Sequence, residues 1–102
     1  MKVTKLFGTL AFLVLFMTSA WSQEKTITGT IVDQNGLPLP GVNIVVENTT
    51  NGTQSDFDGN YSISASTGQT LVFTYLGQRT ARRTVGAGNV INLQMEEDTQ
   101  AL

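Results

Sequence analysis

From Gln23 onward the chain never keeps apolar residues at the three-and-four spacing of a helix face. Short apolar alternations recur instead, cut about every 8–12 residues by clusters of Gly, Asn, Asp and Pro, and that punctuation points to short strands joined by turns. The composition of this part agrees: it holds twelve Thr and nine Gly, and its Ile, Val and Leu residues are largely β-branched. Such side chains suit a pleated surface and lose freedom in a helix.

Thr26 to Asp33 reads as the first strand, turned by Gln34-Asn35-Gly36, with Pro38 and Pro40 excluding continued pairing. Val42 to Glu47 alternates most cleanly, and the Asn51-Gly52 pair that follows suits a tight hairpin through its tolerance of positive φ. Asp56-Phe57-Asp58-Gly59-Asn60 is a further turn leading into Tyr61 and Ile63. Thr70 to Leu76, Arg82 to Val85 and Val90 to Met95 complete about seven strands, the number expected of a small antiparallel sandwich. Its expected core is Ile27, Ile31, Val42, Ile44, Val46, Tyr61, Ile63, Leu71, Phe73, Tyr75, Val90 and Leu93.

The first twenty-two residues obey another rule. Lys2 and Lys5 precede a twelve-residue apolar run, Leu6 to Met17, and no acidic residue occurs among them. A membrane-crossing helix needs about 20 apolar residues, so the run is short for an anchor. A basic start, an apolar centre and small residues at Ala20 and Ser22 make a helical secretory signal peptide over residues 1–22. Cleavage is expected before Gln23, with cleavage after Ala20 as the alternative. No cysteine follows the run, which excludes lipid attachment to a new amino-terminal Cys. The eighty residues left carry four basic and eight acidic side chains, a net charge of −4 against −2 for the whole chain. Without disulfides they must rely on core packing, for a net stability of about 4–12 kcal/mol.

The chain has no His and no Cys, which removes zinc fingers, Ser–His–Asp and Cys–His catalysis, and haem or iron–sulfur ligation. Its acidic balance gives no footprint for nucleic acid. Asp56-Phe57-Asp58-Gly59 suggests a calcium loop, but an EF-hand placed on it would begin at Gln54 and end at Ala65, where Asp and Glu are required. A turn in which Asp binds local amides is the better reading. Asn48-Thr49-Thr50, Asn51-Gly52-Thr53 and Asn60-Tyr61-Ser62 match the glycosylation pattern, yet read better as turn residues. Arg79, Arg82 and Arg83 form the one positive cluster, suited to a phosphate, an acidic partner or a membrane face, although exposed arginines are ordinarily solvated. Glu96-Glu97-Asp98 makes an opposite patch and reads as the start of a solvated linker over 96–102. No general base near neutrality is present, so no catalytic, cofactor-binding or metal-ligating residue is assigned and no enzyme is expected.

Four stretches together resemble one family. They are Ile27-Thr28-Gly29-Thr30-Ile31-Val32-Asp33, Asn35-Gly36-Leu37-Pro38-Leu39-Pro40-Gly41-Val42-Asn43-Ile44, Thr53-Gln54-Ser55-Asp56-Phe57-Asp58-Gly59-Asn60-Tyr61-Ser62-Ile63, and Leu71-Val72-Phe73-Thr74-Tyr75-Leu76-Gly77. The chain from Lys25 to Leu102 resembles the carboxypeptidase-regulatory-like domain that opens SusC/RagA-type TonB-dependent receptors of Gram-negative outer membranes. The resemblance implies an all-β, seven-stranded, antiparallel Greek-key sandwich of prealbumin (transthyretin-like) type over residues 23–95. It implies a place on the periplasmic side, ahead of a plug and a barrel, with no peptidase residues and no cofactor. The parent receptors take up glycans or peptides with a SusD-like surface lipoprotein, powered by the TonB complex. Gln78 departs from the pattern, since the family usually has an aromatic after the glycine.

In the family, a segment like Glu96 to Leu102 runs on into a TonB box, a strand that pairs with TonB by β-augmentation. Here the sequence stops at Leu102. A barrel strand alone takes about 9–11 residues, so a chain of this length is expected to be part of a receptor. The alternative is a free-standing exported sandwich, monomeric, that binds a carbohydrate or protein through its loops or an exposed edge strand.

Overall fold

The structure, a computed structural model, describes residues 24–99. The expected signal peptide, residues 1–22, and residues 100–102 of the expected linker lie outside the described residues. Seven strands occur in order: β1 (Lys25–Val32), β2 (Asn43–Val46), β3 (Gly52–Gln54), β4 (Asn60–Ala65), β5 (Thr70–Thr74), β6 (Ala81–Thr84) and β7 (Leu93–Gln94). No helix is found among the described residues. One sheet has the order β4-β1-β7 and the other β3-β2-β5-β6.

The inward faces follow the period-2 alternation that a half-buried strand requires. In β4, Tyr61, Ile63 and Ala65 point in while Asn60, Ser62 and Ser64 point out. In β2, Ile44 and Val46 are buried; in β5, Leu71 and Phe73. With Ile27, Ile31, Val42, Val85, Leu93 and Met95 these side chains form one core between the sheets. Tyr61 and Phe73 meet across it edge to face, ring centroids 5.6 Å apart at 82°. Each fully buried aliphatic or aromatic side chain there contributes about 1.5–3 kcal/mol relative to an exposed one.

β1 anchors its sheet. It pairs antiparallel with β4 from Lys25 opposite Ala65 to Thr30 opposite Asn60, and parallel with β7 at Ile31–Leu93 and Val32–Gln94. The expectation of a wholly antiparallel sandwich is therefore corrected at its last strand. β6 ends at the end of the sandwich where β1 begins, here the leading end. The connection from Val85 crosses to the other sheet there, so the chain sets off in the direction of β1.

The expected strand Val90–Met95 is reduced to β7 for a local reason. Thr28 and Val90 form an isolated parallel bridge, and the Thr28 and Ile91 amides donate to Asn89 O and Thr28 O. The next donor, Thr30 N–H, goes to the side-chain Oδ1 of Asn92 at 2.9 Å, so the main-chain ladder is interrupted. Alternation then turns Leu93 and Met95 inward and leaves Val90 63% exposed, against its expected place in the core. Tyr75, also expected there, is half-buried and packs on the core's rim.

The close approach of this last segment to β1 depends on Gly29. A Cβ at that position would overlap the Ile91 carbonyl and stand 2.8 Å from Cε1 of Tyr61. The hairpin between β2 and β3 is also built differently from the Asn51-Gly52 expectation. Asn48 takes the positive φ, 65°, while Gly52 already belongs to β3.

Candidate functional site

The strand directions gather the β1–β2, β3–β4 and β5–β6 connections and the tail after β7 at the second, trailing end. Two of these connections are the same turn. Asp33 Oδ1 accepts from the amides of Asn35 and Leu37 at 2.8 and 2.9 Å. Asp56 Oδ1 accepts from those of Asp58 and Asn60, both at 2.9 Å. Gly36 and Gly59 stand at the matching place, with φ of 82° and 78°. A carboxylate two and four residues before the amides it accepts from is a turn device. Asp56, weighed as a calcium ligand from the sequence, spends its Oδ1 on the backbone, and no group of three metal-ligating side chains occurs among the described residues.

The three glycosylation-like asparagines also have local positions. Asn48 supplies the left-handed residue of its turn. Asn51 Nδ2 donates to Ser64 O at 2.7 Å, and Asn60 Oδ1 accepts from Thr30 Oγ1 at 2.7 Å. Tyr61, buried in the core, donates its hydroxyl to Ile91 O at 2.6 Å. Burial disfavours the phenolate and pushes this hydroxyl up to about 12 from 10.

Two clefts follow the open sides of the sandwich. One, of about 320 Å³, lies between β3 and β4 and is lined by Thr53, Gln54, Asp56, Asn60, Tyr61 and Ser62. The other, of about 270 Å³, lies between β6 and the β7 tail. Arg79, Arg82 and Arg83 line it on one side, Gln94, Met95 and Glu96 on the other. The arginine cluster and the acidic patch, read separately from the sequence, meet here. Arg79 N–H donates to Glu96 O at 2.8 Å and Asp98 N–H to Gly77 O at 3.0 Å, around an antiparallel bridge between Gln78 and Glu97. The first residues of the expected linker, Glu96 to Asp98, are thus held to the β5–β6 connection by one bridge, with Glu96 and Glu97 still exposed.

The side chains of Arg79 and Glu96 approach to 3.6 Å, and those of Arg82 and Glu47 to 4.0 Å. All are well exposed, so each pair contributes less than about 1 kcal/mol. Arg83 Nη1 donates to Arg82 O at 2.7 Å. Gln78, opposite Glu97 in that bridge, has its Oε1 buried with no hydrogen-bond partner among the described residues. At the leading end, Lys25 Nζ donates to the carbonyls of Gly86, Ala87 and Gly88 at 2.7, 3.1 and 3.1 Å. Sequence reasoning missed this clamp, the tail's pairing and the cleft walls at Gln94 and Met95. Only the complementary charges of Arg79 and Glu96 hinted at the contact.

These features are structural and interactive: turns, open edges and a charged cleft. Comparison with known proteins points the same way. A family model described as the CarboxypepD_reg-like domain matches residues 27–102. The chain is 36% identical over 102 residues to one TonB-dependent receptor of Formosa agariphila, covering 94% of this chain and 10% of the receptor. It is 38% identical over 105 residues to a second from that organism, covering 99% and 10%. It is 35% identical over 89 residues to the TonB-dependent receptor SusC of Bacteroides thetaiotaomicron, covering 87% and 9%. The chain therefore spans about a tenth of the length of the curated relatives it matches.

Proposed function

The chain belongs to the CarboxypepD_reg-like domain family, and from that premise we propose that it is the non-catalytic amino-terminal domain of a SusC-type TonB-dependent receptor. The observation that carries this reading is the match to such receptors along nearly the whole chain, at 35–38% identity. In this reading residues 1–22 direct export, residues 23–95 form a prealbumin-like Greek-key sandwich facing the periplasm, and residues 96–102 lead toward a TonB box, plug and barrel. The full receptor would take up a glycan or peptide with a SusD-like lipoprotein, driven by the TonB complex.

The fold supports the arrangement in two ways. Its connections cross between the sheets after β1, β3, β4 and β6, as a Greek-key sandwich requires. Its tail leaves from the trailing end, whose connections expose Leu37, Phe57 and Leu76, giving a following segment apolar surface to meet. Absence of chemistry is consistent with the residues on hand, since the accessible clefts offer arginines, carboxylates and amides but no imidazole or thiol.

The test is the DNA beyond codon 102 together with the mass of the exported protein. A reading frame that continues, or continues after a frameshift, into plug-like and barrel sequence supports the receptor reading. A clean stop followed by an unrelated gene overturns it in favour of a free-standing binding module. The exported chain should begin at Gln23 and lack the fluorescence of Trp21, and a mass that retains Trp21 refutes that cleavage.

A further inference from the structure

We propose that the free edge of β6 binds an extended acidic peptide, which joins the four-stranded sheet as an additional strand along the arginine-lined cleft. The inference stands on the cleft itself and does not depend on the receptor reading.

Among the described residues β6 has β5 as its one neighbour in the sheet. Val85 N–H donates to Gln69 O at 2.8 Å, directly after the Thr70–Thr84 pair. In an antiparallel ladder hydrogen-bonded and non-bonded pairs alternate. Arg83 and Ala81 therefore turn their main-chain groups toward β5, while Arg82 and Thr84 turn theirs to the open side. An unpaired edge of this kind is a template for another strand. Among the described residues, the Arg82 carbonyl on this edge is covered by the Arg83 guanidinium, folded back on it. That cover is exposed and can rotate away.

The chain supplies its own precedent for the ligand. Immediately before β6, the acidic tail lies antiparallel to Gly77–Arg79, held by main-chain bonds and by Glu96 beside Arg79. β7 then turns off to join β1, and the space it leaves is the cleft. A second acidic strand would extend the same pattern along Arg82 and Arg83. The carboxylates already present are Glu96 at one end and Glu47, which stands 4.0 Å from Arg82. Arg83 has no carboxylate partner among the described residues. The charges also exclude a second copy of β6 as the occupant, since two such strands edge to edge would set arginines against arginines.

Edge arginines also serve simply to repel other strands, and the experiment separates the two roles. The full chain, labelled with ¹⁵N, is titrated with a blocked octapeptide of alternating glutamate pairs and valine pairs, whose adjacent glutamates can meet Arg82 and Arg83 on the sheet's two faces, and with its lysine–valine counterpart. Saturable shifts at residues 79–84 and 94–96 are expected with the acidic peptide only, weakening as salt screens the charges. The double substitution Arg82→Glu, Arg83→Glu should weaken the acidic peptide at least about tenfold and favour the lysine peptide. Arg82→Gln, Arg83→Gln, milder for folding, should weaken the first without admitting the second. N-methylation of alternate peptide amides should abolish binding from one edge of the peptide and spare it from the other. Failure to saturate by about 1 mM, which corresponds to about −4 kcal/mol, overturns the proposal and leaves the arginines as guards. So do shifts confined to other surfaces, or affinity indifferent to charge reversal.

Discussion

Replacing Tyr61 with Phe should remove a single hydrogen bond and, with it, a defined part of the protein's response to alkali. The ring is 5% exposed, sits edge-on to Phe73 and is retained in the variant. The loss is the 2.6 Å bond to Ile91 O, which leaves a carbonyl at the β1–β7 junction without its donor. That should cost about 1–2 kcal/mol at neutral pH, a sizeable part of about 4–12 kcal/mol. The pH dependence runs the other way. The hydroxyl ionises near 10 in the unfolded chain and about 12 in the folded one. Between those values the unfolded state has released a proton that the folded state still holds. Stability therefore falls as pH rises, by about 1.4 kcal/mol per unit. This contribution is complete below about pH 10 and exhausted above about pH 12, an order-of-magnitude loss of 2–3 kcal/mol. Urea unfolding of both proteins at intervals from about pH 8 to 12 reads the difference directly. The natural protein should lead at low pH, and its lead should shrink and then reverse through the alkaline window, because the loss of about 2–3 kcal/mol exceeds the bond's contribution of about 1–2 kcal/mol. A constant gap across that window, or no gap at pH 8, refutes the assignment of Tyr61 as a buried donor.

Two further substitutions separate backbone strain from crowding and test the polar group opposite the tail. Gly36→Ala and Gly59→Ala impose the same left-handed conformation, but a Cβ is open to solvent at Gly36 and overlaps Ile31 O at Gly59. Gly36→Ala should cost about 1–2 kcal/mol and Gly59→Ala at least about 1 kcal/mol more; equal thermal midpoints contradict the crowding. Gln78→Leu removes the unpartnered buried oxygen and should raise stability by about 1 kcal/mol in urea unfolding, whereas a loss would show that the amide has a partner.

The alternation of residues in β2, β4 and β5 was legible because period 2 is a local property, and ten of the twelve expected core residues are buried. Val90 misled because the expected core took both Val90 and Leu93, which alternation cannot place on one face. The structure chooses Ile91, Leu93 and Met95, and Asn92 interrupts the ladder with its side chain. Asn51-Gly52 misled because the pair is a frequent hairpin turn, yet the chain turns three residues earlier, around Asn48. There Thr49 Oγ1 donates to Val46 O and accepts from Asn51 N–H. The turn role of Asp56 was readable from its spacing to Gly59, whereas Asp33, read as the end of the first strand, plays the same part before Gly36. The charged cleft was not. It needs β6 and the β7 tail side by side, and their adjacency comes from a sheet-to-sheet crossing that leaves no mark on either segment alone.

The parallel pairing of β1 with β7 also governs when this domain can become stable. β1 is the first of the described strands and the middle strand of its sheet, yet one of its two neighbours is the last of them. Leu93 and Met95, which close the core, arrive some sixty residues after Ile31. Closing so long a loop precedes the contacts that reward it, so such topologies fold slowly. A chain emerging from its amino terminus therefore cannot complete its core until Met95 is free, and truncations ending before Leu93 should remain unfolded by circular dichroism.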